Sequence, residues 1–362
     1  MFHHMLRNGR PYAGRLVAHR AGDLMALVAH PAQRRRRPAS AVLLLLCVLL
    51  VSACAPVQPV APSTPAGAYD AAVPSAWFAL SLKLVKETPG FSPPVASRAF
   101  GYMGVTLYET VQPGMPGYRS LAGQLNGLGH LPPFIPDGEV SWPLAANAAL
   151  ATMTRRLFVA ATPENQAAIE ELAARLEAQE NLDPATVARS AAWGERVAEA
   201  IYAWSLTDGG HDGYATSFAA DYLPPVGPGL WVSTPPGYLQ PLQPYWGQNR
   251  PFALSAVDEC PAAPPPAYSE EVASDFYAEA FEVYDTVRNL SAEQEAIARF
   301  WADDPVRTAT PPGHWVSILS QVLAQEEATL DLAAEAYAKL GIALADAFIT
   351  CWHTKYVYNV LR

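Results

Sequence analysis

Leu330-Asp331-Leu332-Ala333-Ala334-Glu335-Ala336-Tyr337-Ala338-Lys339-Leu340-Gly341-Ile342-Ala343-Leu344-Ala345-Asp346-Ala347-Phe348-Ile349-Thr350-Cys351-Trp352 carries few charges and no proline. Leu332, Ala336, Leu340, Leu344 and Phe348 recur every four residues, and apolar side chains fill most of the positions between them. That pattern predicts a long helix, apolar on nearly every side, at the centre of a helical core. Upstream, His314 to Glu326 gives a second apolar helical pattern, and Ser291-x-x-Gln294 is a capping box ahead of Ala296, Ile297, Phe300 and Trp301. Near the other end, Thr162-Pro163-Glu164 and Asp183-Pro184 are start signals for helices over Gln166–Glu180 and Ala185–Leu206. Ile169, Leu172, Ala173 and Leu176 place one buried face on the first of these. Ser92 is an N-cap candidate, with Pro93 at the first position of a helix through Ser97, Gly104 and Tyr108. No run reads as a strand and no repeat of 20–50 residues stands out. The fold class is all-α, a helical bundle over about residues 70–362.

The helical pattern stops between Leu206 and Tyr268. Twelve prolines lie between Pro224 and Pro266, with Trp231, Tyr238, Tyr245 and Trp246 among them. Neither a helix nor a central strand tolerates that density. Residues 207–268 are therefore expected as a long irregular segment whose aromatic residues pack over the helical body.

Arg34-Arg35-Arg36-Arg37, the apolar run from Ala41 to Val51, and Ser52-Ala53-Cys54 have the order of a secretory signal. Val51-Ser52-Ala53-Cys54 also resembles a bacterial lipobox, which implies lipidation at Cys54, export, and anchoring to the bacterial cell envelope. Residues 1–53 read as the signal and 54–70 as a tether rich in proline, alanine, serine and threonine. Residues 71–362 form the helical domain. Met25 is an alternative start. Residues 1–53 hold eight arginines and one aspartate, so the remainder has 16 basic and 33 acidic residues, a net charge of −17. Such a chain repels polyanions, which argues against nucleic acid as a partner. Beyond Cys47 and Cys54 only Cys260 and Cys351 remain. They suit either a disulfide in an oxidising compartment or two buried thiols, and no zinc-type cysteine spacing exists.

At the C-terminus Lys355 and Arg362 stand seven residues apart, about two helical turns, within roughly 20° on one face. Two long cations on one face can converge on an oxyanion, arginine through paired planar bonds and lysine as a point charge. In context, Trp352-x-x-Lys355-Tyr356-x-Tyr358-Asn359, Thr310-Pro311-Pro312-Gly313-His314-Trp315, Gly229-Leu230-Trp231, Pro235-Pro236-Gly237 and Trp246-Gly247 resemble vanadium-dependent haloperoxidases. So do Pro94-Val95-Ala96-Ser97-Arg98-Ala99 and Tyr108-Glu109. That superfamily includes type 2 phosphatidic acid phosphatases, and the resemblance spans roughly residues 75 to 362.

The resemblance implies an anion pocket opened by Lys355 and Arg362, with vanadate as cofactor or phosphate in the phosphatase branch. It implies peroxide-dependent halide oxidation or phosphomonoester hydrolysis, acting on a small anion and a small-molecule substrate. In the family a proline follows the arginine. A later serine-glycine-histidine segment, and an arginine followed by a histidine, complete the site. None of these follows Arg362 here, so the chain is expected to lack the C-terminal helices of the fold and to be inactive by itself.

Other candidates have plainer readings. Asp208-Gly209-Gly210-His211-Asp212-Gly213 reads as a tight polar turn, Asp303-Asp304 as a helix-end pair, and His314 as a capping residue. His353 stays unassigned. An alternative for the whole chain is a lipid-anchored helical glycan- or ligand-binding lipoprotein without catalysis, its nine tryptophans and sixteen tyrosines suited to stacking.

Overall fold

Helix starts follow the expected chemistry at three points. Thr162 accepts a hydrogen bond from the Asn165 amide, and Asp183 accepts from Ala185 and Thr186. Ser291 and Gln294 exchange the reciprocal bonds of a capping box. Ser92 departs from expectation: its hydroxyl bonds Gln243 Oε1 at 2.6 Å and caps nothing. A computed structural model describes residues 63–361, which belong to one compact unit, Pro59–Arg362. The signal segment, most of the tether, Cys54 and Arg362 lie outside the described residues.

Nine α-helices occur among the described residues: α1 (Ala72–Glu87), α2 (Pro93–Val111), α3 (Trp142–Leu157), α4 (Pro163–Gln179), α5 (Pro184–Ser205), α6 (Asp275–Arg288), α7 (Ala292–Phe300), α8 (Thr310–Gln325) and α9 (Leu330–Tyr358). No β-strand forms among them, only isolated bridges. From Leu206 to Ser274 the sole helical piece is the three-residue turn Trp246–Gln248.

The central helix is α2, which corrects the expectation for the Leu330–Trp352 stretch. Every residue of α2 from Pro94 to Val111 is buried, and α9, α3, α5 and α8 surround it. α9 buries one face, including Ala334, Tyr337, Ala338, Gly341, Ala345 and Ile349. Leu332 on its other side is 49% exposed, and Leu340 and Phe348 are only partly buried. Apolar character all round had suggested a fully enclosed helix. Tertiary structure gives that place to α2, although α2 carries an arginine and a glutamate.

Glycines permit the central packing. A Cβ at Gly104 of α2 would lie 2.5 Å from the Tyr337 carbonyl oxygen, and one at Gly341 of α9 would lie 2.5 Å from the Phe100 carbonyl oxygen. The two backbones touch there with no side chain between them. Around that crossing, Phe78 of α1 stacks on Tyr337 with centroids 3.7 Å apart, and the Tyr337 and Ser320 hydroxyls are 2.8 Å apart. Trp77 donates to Asn147 Oδ1 at 2.9 Å and Trp193 to the Thr110 carbonyl at 2.8 Å. These two buried indole N–H groups are thereby satisfied.

α6 and α7 differ from the rest because they bury no residue. Phe281, Tyr284, Ile297 and Phe300 are all at least half exposed. Asp303 and His314 bridge this arm to α8, with Nδ1 and Oδ2 2.8 Å apart and His314 stacked on Trp301 at 4.9 Å. His314 is thus held by a carboxylate rather than acting as a cap.

The crossing predicts an inverted sensitivity. Gly104→Ala, which adds one methyl at the α2–α9 contact, should destabilise by about 1–3 kcal/mol. Leu332→Asp, at a position expected in the core but exposed, should stay within about 0.5 kcal/mol. Urea unfolding midpoints report both, and the opposite ranking would show that α9 and not α2 is the enclosed helix.

Candidate functional site

The outward side of α9 forms one wall of a groove of about 1500 Å³. The opposite wall comes from the irregular segment, chiefly residues 231–242 and 253–265. Apolar side chains dominate, among them Trp231, Leu239, Leu242, Leu254, Ile342 and Trp352. Its charged lining residues are Lys339, Asp346 and Lys355. Pockets for a small molecule usually measure about 300–1000 Å³, so this groove is larger than one small ligand needs.

Two buried polar knots hold the irregular segment against the helices. At its root, Arg98 of α2 meets Asp208 with Nε 2.6 Å from Oδ2, and also donates to the Ser205 carbonyl. Tyr102 donates to Asp208 Oδ2 at 2.8 Å and the Gly210 amide donates to Oδ1 at 2.8 Å. Burial, then the adjacent carboxylate, pushes the Tyr102 phenol far above its usual range, which keeps it a donor. Asp208 therefore sits in a tight turn, as its glycine neighbours suggested, with the added role of a counter-ion inside the core. Arg250 continues the knot: its amide donates to the Asp208 carbonyl at 2.8 Å and its guanidinium lies 5.0 Å from the Trp204 ring centre.

The second knot is Asp346 of α9. Its carboxylate accepts from the backbone amides of Phe252, Ala253 and Leu254 at 2.5, 2.8 and 3.0 Å. One ionised group thus ties three consecutive residues of the loop to the helix, in bonds stronger than neutral ones. Further along α9, Trp352 Nε1 and Tyr356 OH both donate to the Leu242 carbonyl, at 3.0 and 2.8 Å. Trp231 donates its amide to the Asn359 carbonyl and Leu361 donates to Gly229. Gly247 lets the loop touch the helix, since a Cβ there would lie 2.5 Å from His353 Cα. Asn359, left-handed at φ 46°, ends α9.

Lys355 projects from this wall. It is exposed, and its ammonium lies 3.9 Å from the Trp352 ring centre, a cation–π arrangement that orients it. Its expected companion Arg362 lies outside the described residues. Asn359, next to Lys355 along the wall, is buried, and its Nδ2 has no hydrogen-bond partner. Cys260 and Cys351 are exposed, which corrects the reading as buried thiols, and both are free, with no bond joining them in this state. No grouping of three histidine, cysteine, aspartate or glutamate side chains able to hold a metal ion occurs among the described residues. No helix among them is long and apolar enough to cross a membrane.

Asp346 escaped the sequence reading although a signal was present. It is the only acid of α9 beyond Glu335, in a strongly apolar stretch, and a buried carboxylate needs dedicated donors. Its removal should release the loop: Asp346→Ala is expected to cost about 3 kcal/mol. It should also accelerate hydrogen exchange at Phe252–Leu254 without touching α3–α5. Unchanged protection at those amides would show that the loop is held elsewhere.

No family model matches the chain, and no curated protein matches it. Among solved structures it is similar to a bacterial vanadium-dependent iodoperoxidase. The two share 34% identity with a TM-score of 0.72, over 81% of this chain and 70% of that one. The shared part includes an all-α architecture, which agrees with the helices described above. Identity at that level across most of both chains carries more than fold likeness, and this chain belongs to the vanadium-dependent haloperoxidase family.

Proposed function

We propose that the Lys355 wall of the groove is part of an oxyanion site for vanadate, in a protein built for peroxide-dependent halide oxidation. The supporting observation is the placement of Lys355: an exposed ammonium, steered by Trp352, at an apolar groove. A cation beside low-dielectric walls attracts an anion more strongly than one in open water. Lys355 and Arg362 would hold the oxyanion, and the idle buried amide of Asn359 suits a place that receives a further acceptor. Vanadate, when bound, supplies the Lewis-acidic centre at which peroxide is activated toward halide. The chain's own part is to place positive charge, fix the lysine over an indole, and keep water away through Trp231, Leu242 and Trp352.

Phosphate has a similar size and charge, so one ammonium does not separate phosphatase from haloperoxidase chemistry. The similarity to an iodoperoxidase favours halide oxidation. The glycan-binding alternative loses support because Trp77, Trp142, Trp193, Trp204 and Trp246 are buried and unavailable for stacking on sugars. Residues 1–362 alone are proposed to be inactive, since catalysis needs several preorganised donors around the oxyanion and a group bonded to its centre.

Vanadate titration of the purified chain tests the site: Lys355→Ala should weaken binding at least about tenfold, the loss of one charge-assisted contact. Equal affinity in the variant would move the site away from Lys355. Assays with vanadate, peroxide and bromide or iodide, and separately with a phosphomonoester, should show no turnover by residues 1–362. Turnover lost in Lys355→Ala would overturn the proposed inactivity.

Export and a lipid anchor at Cys54 are also proposed, from the basic, apolar and small-residue order ahead of it. Dual acylation gives stable membrane attachment where one chain does not. Cys54→Ala should leave the protein unprocessed or free of the membrane fraction. A mature N-terminus that mass spectrometry shows to be unlipidated, at a residue other than Cys54, would refute the anchor.

A further inference from the structure

Cys260 and Cys351 line the same groove from opposite walls, and both are exposed free thiols. The loop that carries Cys260 is fastened to α9 on either side of it. At one end the Leu254 amide bonds Asp346 at 3.0 Å, and at the other the Tyr358 hydroxyl bonds the Ala262 carbonyl at 3.1 Å. The helix between those fastenings runs from residue 346 to 358, and Cys351 lies within it. The loop between them runs from 254 to 262, and Cys260 lies within it. Both thiols thus belong to one closed circuit of loop and helix.

The geometry leaves room for them to meet. Twelve residues of helix rise about 18 Å. Eight residues of loop can span up to about 26–29 Å. The loop is thus longer in reach than the helix segment it parallels, and among the described residues 260–270 make no backbone–backbone hydrogen bond. Cys351 and Tyr358 are seven residues apart on the helix, within about 20° of each other, and Lys355 is only about 40° from Cys351. The fastening at Tyr358 therefore holds the loop over the face that bears Cys351 and Lys355.

We propose that Cys260 and Cys351 form a redox clip, oxidised to an intramolecular disulfide by peroxide, which draws the loop over Lys355 and narrows the groove. One thiolate attacks a peroxide oxygen, the O–O bond breaks, and the departing hydroxide takes a proton to become water. The resulting sulfenic acid is attacked at sulfur by the second thiol, and the S–O bond breaks with loss of a second water. Two thiols lose two electrons in total and one peroxide becomes two waters. Closure brings the two Cα atoms within the roughly 4.4–6.8 Å that a disulfide requires. Only the source of oxidant rests on the haloperoxidase reading; the juxtaposition of the thiols does not.

The test treats the reduced full chain with reagent hydrogen peroxide, without vanadate, so its outcome is independent of the anion site. Intact mass should fall by two hydrogens, and digestion should yield a linked peptide pair containing Cys260 and Cys351 rather than Cys47 or Cys54. Cys260→Ser and Cys351→Ser should each abolish that pair and remain folded, because both side chains are exposed. In the oxidised wild type, acetylation of Lys355 should slow several-fold relative to Lys83, an exposed lysine on α1, and recover on reduction. Disulfides between chains, sulfinic or sulfonic acid on separate thiols, unmodified thiols, or an unchanged Lys355 acetylation rate would each overturn the clip. The vanadate titration of the reduced chain reports separately on the proposed function.

Discussion

The backbone contact between α2 and α9 at Gly104 and Gly341 sets the terms for the rest of the molecule. Two helices that touch without intervening side chains bring their polar and charged residues to the centre along with the apolar ones. α2 is therefore enclosed over its whole length, Arg98 and Glu109 included. A buried guanidinium without a partner is prohibitively costly, so Arg98 must find a counter-ion inside the fold. Asp208 supplies it, and Asp208 opens the proline-rich segment. The central crossing thus dictates where the irregular segment starts its course over the helices. Glu109 is treated likewise: it accepts from the Ser120 hydroxyl and the Leu121 amide. Burial still raises its pKa, the desolvation outweighing those two bonds.

The same crossing leaves α9 with two unlike faces. The inner face packs on α2, and the outer face meets the loop through polar fastenings at Asp346, Trp352, Tyr356 and Tyr358 and through the close approach of Gly247 to His353. Point fastenings between helix and loop leave space between them, which is the groove. Hydrogen bonds of this kind hold a loop in register without the close packing that would fill the space with side chains. Lys355 and Cys351 stand on that outer face because they are not needed for the core. The proposed anion site lies on this face, because Lys355 is the residue that resembles the start of the haloperoxidase anion pocket.

Much of this was legible in the sequence. Helix starts at Thr162, Asp183 and Ser291 are local chemistry, decided within four residues, and each cap forms as read. Proline spacing excluded helices between Leu206 and Tyr268, because a missing N–H and a fixed φ act regardless of context. The motifs around Trp352, Lys355 and Thr310–Trp315 carried the family, and the all-α class followed from periodicity. Ser92 shows the limit of such reading: its hydroxyl was free to cap, but a glutamine 151 residues away competed for it and won.

What the tertiary structure alone decided is which apolar helix goes inside. Apolarity on all sides of Leu330–Trp352 was correctly read, yet enclosure depends on neighbours. α9 has a loop held off by point contacts on one side, where α2 has helices all around. The partners of buried charges were equally out of reach: Arg98 with Asp208, and Asp346 with three loop amides, join residues about a hundred positions apart. Composition and periodicity report what a residue prefers within a turn or two of helix. A buried charge is satisfied by whichever donor the fold carries to it, and that is a property of the path of the chain through space.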